Sequence, residues 1–515
     1  MIKKQTLAML VCAVMAVALI IVYFAVISPM LITKEEEPTP IELIDDLEVR
    51  ASDVTKVYMF PPVERARIEK IEVYNENGGY TFYKKSNQFF IEGMESAPYD
   101  LTMLSYLVTT TGSSVAMRRY LVDENTNLAD YGLAPDPFDP EDDYFPTHFV
   151  ITTEDGETHK VWVGDKIPTG GGYYCQYDGR NAIYVLGSSL GLTIFSDIHE
   201  LITPTLGLSV PQNSYSQVSK LGVIKNGVPL VEMVTVSPEE NGTATTENPA
   251  YSYKFNFEHL KEYTPNSEKY NRVINAFSGL AGYETVAAGE EFDFDTLKTE
   301  YGIDIADPFY CVYYTYINDV HIYFSKPNNE GVCYAYSSLY DTVVRIKQTS
   351  VPMYYDTLSD YVQRNIITTN ITLVSKLEIK GSIPDENIDI DSRFGITTEG
   401  KDQTLINLDT NENYDNDEMT NFRQVYKDVI RLYIEGEVDL STVQDAPLVA
   451  TVILTETDGT VRTLEFFAYN NTRCYFKING VLNEEFAFYV NRDNVETLLR
   501  DTNNFNLGYT IDPGI

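Results

Sequence analysis

A chain of 515 residues has room for about two to four domains, and its 43% apolar content, with 39 tyrosines and 24 phenylalanines, excludes a disordered chain. The 76 acidic residues against 38 basic ones give a formal net charge of −38, which makes nucleic acid and anionic lipid poor partners. The cysteines Cys12, Cys175, Cys311, Cys333 and Cys474 are too few for a disulfide framework, and no Cys/His ligand spacing points to zinc.

In chain order, the first feature is a run from Gln5 to Thr33 without a charged residue, apolar from Leu7 to Ile27 apart from the hydroxyl of Tyr23. At about 1.5 Å per residue that run spans roughly 30 Å, the hydrocarbon thickness of a bilayer. Lys3 and Lys4 precede it, while Glu35, Glu36 and Glu37 follow Lys34. This bias predicts residues 1–33 as a cytoplasmic tip and a single membrane helix, with the rest of the chain extracytoplasmic. A cleaved signal peptide would have a shorter apolar region and a small-x-small site, which Ser28-Pro29-Met30 does not offer. Cys12 does not read as a lipoprotein site, because Val11 before it is too large. Residues 34–62, with Pro38, Pro40, Pro61 and Pro62, read as a tether, within which Val54–Phe60 has the pattern of a short strand.

Three units then follow, at 63–205, 206–366 and 367–515. Each opens on an alternating strand: Ile68–Val73, Val218–Val223 and Val374–Ile379, with Lys70, Lys220 and Lys376 about 150 residues apart. Each continues into an amphipathic helix, at Asp100–Val108, Ser267–Ala281 and Asp417–Glu435, with Asp100 as an N-cap. Each then runs through a strand meander. In the first unit this is Phe149–Thr153, Thr158–Val163, Tyr173–Tyr177 and Ala182–Leu186, with Asp155-Gly156 and Asp178-Gly179 as turns. The second has Phe309–Tyr316, Val320–Ser325 and Gly331–Tyr336, and the third Ala450–Thr455, Val461–Ala468, Cys474–Ile478 and Glu485–Val490. Short helices are expected after the meanders at Ile194–Leu201, Tyr354–Arg364 and Val495–Asp501. The fold class is therefore α+β: a membrane helix and three divergent, strand-rich antiparallel units with packed helices. Cys175, Cys333 and Cys474 fall at matching places in the meanders, which favours free thiols, although Cys311 with Cys333 is left open as a pair.

The most distinctive stretch is Asp130-Tyr-Gly-Leu133, Phe149–Gly156, Val163-Gly-Asp-Lys-Ile-Pro-Thr-Gly-Gly-Gly-Tyr-Tyr174 and Asn181–Leu186. It resembles the bacterial family called domain of unknown function 4340, over residues 45–200 and more weakly beyond. Where that family often has a Trp near the end of its second strand, this chain has Phe89-Phe90, and its one Trp is Trp162. The resemblance implies a membrane-anchored, extracytoplasmic, strand-rich body that serves as an accessory to an ABC-type transporter or gliding-motility-like complex. It implies no catalytic residues.

The remaining motifs favour bland readings. Gly164–Gly172 lacks the spacing of a phosphate loop, since Lys166 precedes the glycines and no helix follows; it reads as a connection between strands. Asp409–Thr420 resembles a calcium loop through Asp409, Asn411, Asn413, Asp415 and Asp417. It has Tyr414 where the turn wants Gly and Thr420 where a bidentate Glu belongs. Asp136–Asp143 and Asp385–Asp391 read as solvated acidic loops. His148, His159, His199, His259 and His321 are scattered, Gly187–Gly191 is not a nucleophile elbow, and the sequons at Asn241, Asn370 and Asn470 are chance matches. No catalytic, cofactor-binding or metal residue is expected, and no cofactor. The expected function is non-enzymatic: a tethered extracytoplasmic accessory docking on a membrane-protein complex, with no nucleic acid partner. The alternatives are a surface protein that binds wall polymer or glycan and, third, an envelope hydrolase.

Overall fold

The computed structural model describes residues 4–23, 39–139, 141–236, 252–400, 402–482 and 486–512. The end of the apolar run, Lys34–Glu37, Pro38, Asn241 and Glu485 lie outside these residues. A helix at Lys4–Val22 covers the apolar run from its start at Leu7 to Val22. Among the described residues no helix is long and apolar enough to cross a membrane.

The folded body is α+β, with three eight-stranded sheets and one three-stranded sheet, every neighbouring pair antiparallel. The three large sheets share one order of strands. Numbered within its own segment, each runs third, second, first, fifth, sixth, seventh, eighth, fourth. In the first sheet the central strand Ile68–Asn75 pairs with Gly78–Lys85 on one side and His148–Thr153 on the other. After a register shift at Ile68–Lys70 its burial alternates, with Ile71, Val73 and Asn75 buried on one face. The chain then crosses by the helix Leu101–Ser113 to the far edge, strand Arg118–Leu121, before the meander fills the interior. The helices Ser267–Phe277 and Asn416–Ile430 hold the same place between the third and fourth strands of the other two sheets.

Helix starts follow from capping side chains. Asp100 accepts from the amides of Thr102 and Met103, Asn266 from Lys269, and Asp415 from Glu418, whose own carboxylate returns to the Asp415 amide. The third unit ends on a longer helix than expected, Arg492–Asn506, with Val495, Leu498, Leu499 and Phe505 buried. After the second meander the expected helix Tyr354–Arg364 is only a short 3-10 turn at Leu358–Asp360.

The chain divides into two compact units, residues 1–95 with 99–202, and 96–98 with 203–515. The segments 206–366 and 367–515, read from the sequence as separate units, share one hydrophobic core that runs from Leu206 to Ile511. Tyr263 links them, with its ring 4.9 Å from Phe488 and 6.1 Å from Phe476.

The segment expected as a tether is built into the first unit from about Asp45 onward. Strands Val49–Arg50 and Val57–Tyr58 pair with each other, and Val57–Tyr58 pairs with Val115–Ala116. Val57, Met59 and Phe60 are fully buried. A polar cluster fixes the same segment. Arg180 donates to both oxygens of Asp45, to the Met59 carbonyl and to the Tyr184 hydroxyl. Tyr184 and Arg119 donate in turn to the two oxygens of Glu48, which is buried. Prolines suggested a loose connection, but the apolar side chains between them drive this stretch into the core.

Candidate functional site

The first unit carries a cleft of about 490 Å³, lined in part by the motif residues that stand out in the sequence. Its floor is built from two stretches far apart in the chain. The Asn127 side chain accepts from the Ala129 amide and starts the 3-10 turn Leu128–Tyr131, which Gly132 ends at φ 65°. Opposite it lies the end of strand Thr158–Lys166, where Gly164, Asp165 and Lys166 turn toward the cleft.

Three glycines set how closely these parts approach. A Cβ on Gly164 would lie 2.2 Å from the Tyr131 carbonyl oxygen, and one on Gly132 would lie 2.5 Å from a carboxylate oxygen of Asp165. At Gly191 a Cβ would meet the Tyr173 hydroxyl at 2.3 Å. None of the three can carry a side chain without moving backbone or a ring, so the cleft's shape depends on them. Tyr131 adds an edge-to-face contact with Tyr174 at 4.9 Å. The second large sheet uses the same device: Gly302 has φ 67°, and Tyr301 meets Tyr334 edge to face at 5.2 Å.

The walls are aromatic and acidic. Tyr173 and Phe195 lie with ring centres 5.2 Å apart, Phe145 packs on Tyr74 at 5.1 Å, and Tyr144 donates to the Leu133 carbonyl. Burial raises the pKa of the Tyr144 phenol, and the nearby Asp142 charge adds to the shift. Asp142 accepts from the Asp136 amide. Glu76, Asp143 and Asp165 have no hydrogen bond or ion pair among the described residues, and neither does the Lys166 ammonium. Thr147 lines the cleft at 6% exposure, and its hydroxyl likewise has no partner among the described residues.

Gly164–Gly172 forms a connection between Thr158–Lys166 and Gly172–Tyr177. The Ile167 amide donates to the Gly172 carbonyl at 2.9 Å, and Gly170 supplies the one positive φ, 76°. In Asp409–Thr420, Asp409 pairs with Arg393, Asp415 caps a helix, and the ring of Tyr414 packs on Phe505 at 5.1 Å. The acidic loop Asp385–Asp391 is engaged through Glu386 with Arg500 and through Asp391 with Lys380. The loop Asp136–Asp143 supplies Asp142 and Asp143 to the cleft, so part of it faces a concave surface.

The histidines sit on separate elements. His159 lies flat on Phe60 at 4.3 Å, and burial lowers its pKa; His321 stacks between Tyr313 and Tyr323, and burial lowers its pKa as well. Cys175, Cys311, Cys333 and Cys474 are buried free thiols. Burial pushes Cys333 up to about 11 and Cys474 up to about 12, so none is poised as a nucleophile. Among the described residues no group of three or more His, Cys, Asp or Glu is placed to hold a metal ion.

Sequence reasoning singled out Asp130–Leu133 and Gly164–Gly172 but did not bring them together. Nor did it place Glu76 or Phe195 beside them, because these come from a hairpin turn and a post-meander helix with no shared motif. Residues 95–304 match the family described as a domain of unknown function (DUF4340). No curated protein and no solved structure matches the chain.

Proposed function

With residues 95–304 belonging to the DUF4340 family, we propose that this protein is a non-enzymatic accessory, tethered to a membrane and docking on an extracytoplasmic complex. The observation that carries this reading is the uncharged run Gln5–Thr33, flanked by Lys3 and Lys4 before it and Glu35–Glu37 after it, ahead of a large acidic body. The three sheets with one strand order are read as three copies of a single unit that supply a broad surface. The resemblance to the family implies an ABC-type transporter or a related envelope complex as the partner. The clamp that begins at Asp45 supports the same view, since it leaves only a short stretch between the apolar run and the folded first unit.

A second reading has its own observation. Tyr313, His321 and Tyr323, each half-buried, stack in a row across two strands of the second sheet, at successive ring distances of 5.4 and 6.0 Å. Such a row suits contact with glycan or wall polymer. One preparation tests both readings: the full chain extracted from its native membrane in mild detergent. A co-purifying membrane complex is the expected result. A lone chain under every extraction condition, retained on purified wall polymer, would overturn the docking reading in favour of the second.

A further inference from the structure

We propose that this protein docks through the face of its third large sheet that is turned away from the helices. The occupant is a turn from a membrane-protein partner, reading acidic residue, tyrosine, glycine, aliphatic residue. This deepens the docking reading by naming the surface and the chemistry of what it receives, and it rests on that reading.

The first two sheets carry such a turn themselves. In each, the connection from the fourth strand to the fifth is long, residues 122–147 and 289–309. Within it, Asp130-Tyr-Gly-Leu133 sets Tyr131 edge to face on Tyr174, and Glu300-Tyr-Gly-Ile303 sets Tyr301 edge to face on Tyr334. Each receiving tyrosine stands on the seventh strand beside a buried cysteine, Cys175 or Cys333. In the second sheet Leu297 and Ile303 close over Tyr336 and Val343 as a small core of their own.

The third sheet has the receiving side without the turn. Its connection is cut to residues 440–447, yet Tyr475 stands at the same place, on the seventh strand beside Cys474. Phe466, Phe476 and Val490 point into the core with the helices, so by alternation Phe467, Tyr475 and Tyr489 point the other way. The register lines up Leu448, Phe467, Tyr475 and Tyr489 on four neighbouring strands. Leu448 is 51% exposed and the three rings are partly exposed. The rings that meet Tyr475 come from the sixth strand and the turn after it: Phe467 stacked at 5.1 Å and Tyr469 at 6.5 Å. An apolar row of this length left at the surface marks contact with another chain. Charge points to the same occupant. Lys477 lies over the Phe467 ring at 4.9 Å and Arg473 over the Tyr489 ring at 4.5 Å. Cations along the row suit the acidic residue that precedes the tyrosine in both seated turns.

The test is photo-crosslinking of the full chain in its native membrane, with p-benzoylphenylalanine in place of Tyr475 and the joined peptides mapped by mass spectrometry. Crosslinks to one segment of a membrane-complex protein are expected, a segment that contains the acidic-Tyr-Gly-aliphatic sequence. The same probe in place of Tyr334 should join within the chain, to residues 300–303, and so reports a seated turn. Leu448→Ser combined with Tyr475→Ser should lower recovery of the complex about tenfold, with the melting temperature within about 3 °C of the parent's. Ile317→Ser combined with Tyr355→Ser, at exposed sites outside the third sheet, should leave recovery within about twofold. Crosslinks from the Tyr475 position only within the chain, to glycan, or to a segment without such a turn would overturn the proposal. Full recovery of the complex by the Leu448→Ser and Tyr475→Ser pair would overturn it as well. Absence of any complex with the unsubstituted chain would instead sink the docking reading itself.

Discussion

At the scale of single residues, the sharpest electrostatic feature is Asp428 on the helix Asn416–Ile430. It is 7% exposed, and its Oδ2 atom is enclosed with no donor facing it. The neighbouring carboxyl is that of Asp501, and two carboxyls can hydrogen-bond only when one of them carries a proton. Burial and the Asp501 charge push Asp428 up to about 7, against the opposing charges of Arg431 and Lys427. The folded-state value lies above that of the unfolded chain, so the contact contributes fully below about pH 4 and is lost as the pH rises toward 7. Asp428→Asn keeps a donor at this position without the charge. It should stabilise the fold at pH 8 by on the order of 1–3 kcal/mol and so raise the melting temperature, with the advantage shrinking toward pH 5. Thermal melts of the two proteins across that range check it, and a constant difference at every pH would sink the idea.

At the scale of elements, the segment from Asp45 to Phe60 owes its place to one side chain more than to its strands, which are two residues each. Arg180, 5% exposed, reaches Asp45, Met59 and Tyr184 together, and Tyr184 carries the link on to Glu48. Burial pushes the Asp45 carboxyl up, but the Glu48 amide and the Arg180 guanidinium more than offset it and hold the pKa below the usual value. The Asp45 side chain is 40% exposed, so the ion pair itself contributes little, but loss of Arg180 leaves the buried Met59 carbonyl without this donor, at a cost of about 1–3 kcal/mol. Arg180→Ala should therefore loosen residues 41–60 and open them to limited proteolysis. N-terminal sequencing of the fragments reads this directly, and cleavage no faster than in the parent chain would show that the strands hold without the clamp.

For the whole molecule, a net charge of −38 means that self-repulsion opposes the compact state at low ionic strength. Many of the ion pairs that offset it, such as Arg345 with Glu284 and Arg272 with Glu268, are exposed and contribute little. Screening should then matter more for the net repulsion than for the pairs. The melting temperature is expected to rise by a few degrees between 20 and 500 mM sodium chloride, since the Debye length falls to a few ångströms. A fall over the same range would mean that specific ion pairs outweigh the repulsion.

Local chemistry made much of this fold legible in the sequence. Alternation placed the first strand of each of the three large sheets, because a half-buried strand must present one face to water. The N-cap at Asp100 and the helical stripes at Tyr270, Val273, Ile274 and Phe277 and at Phe422, Val425 and Val429 marked all three crossover helices for similar reasons. The edge strands Arg118–Leu121, Glu284–Ala288 and Gly436–Asp439 were not legible, since they are short and defined by pairing with a strand distant in sequence. The merging of 206–366 with 367–515 was hidden too, because a shared core depends on which buried faces meet. The same holds for the cleft. The sequence marked Asp130–Leu133 and Gly164–Gly172 through the family resemblance, and read the second as a glycine-rich connection between strands. Only the tertiary structure decided that Gly164 lies against the Tyr131 carbonyl, and that Glu76, Asp143, Asp165 and Thr147 line one cleft.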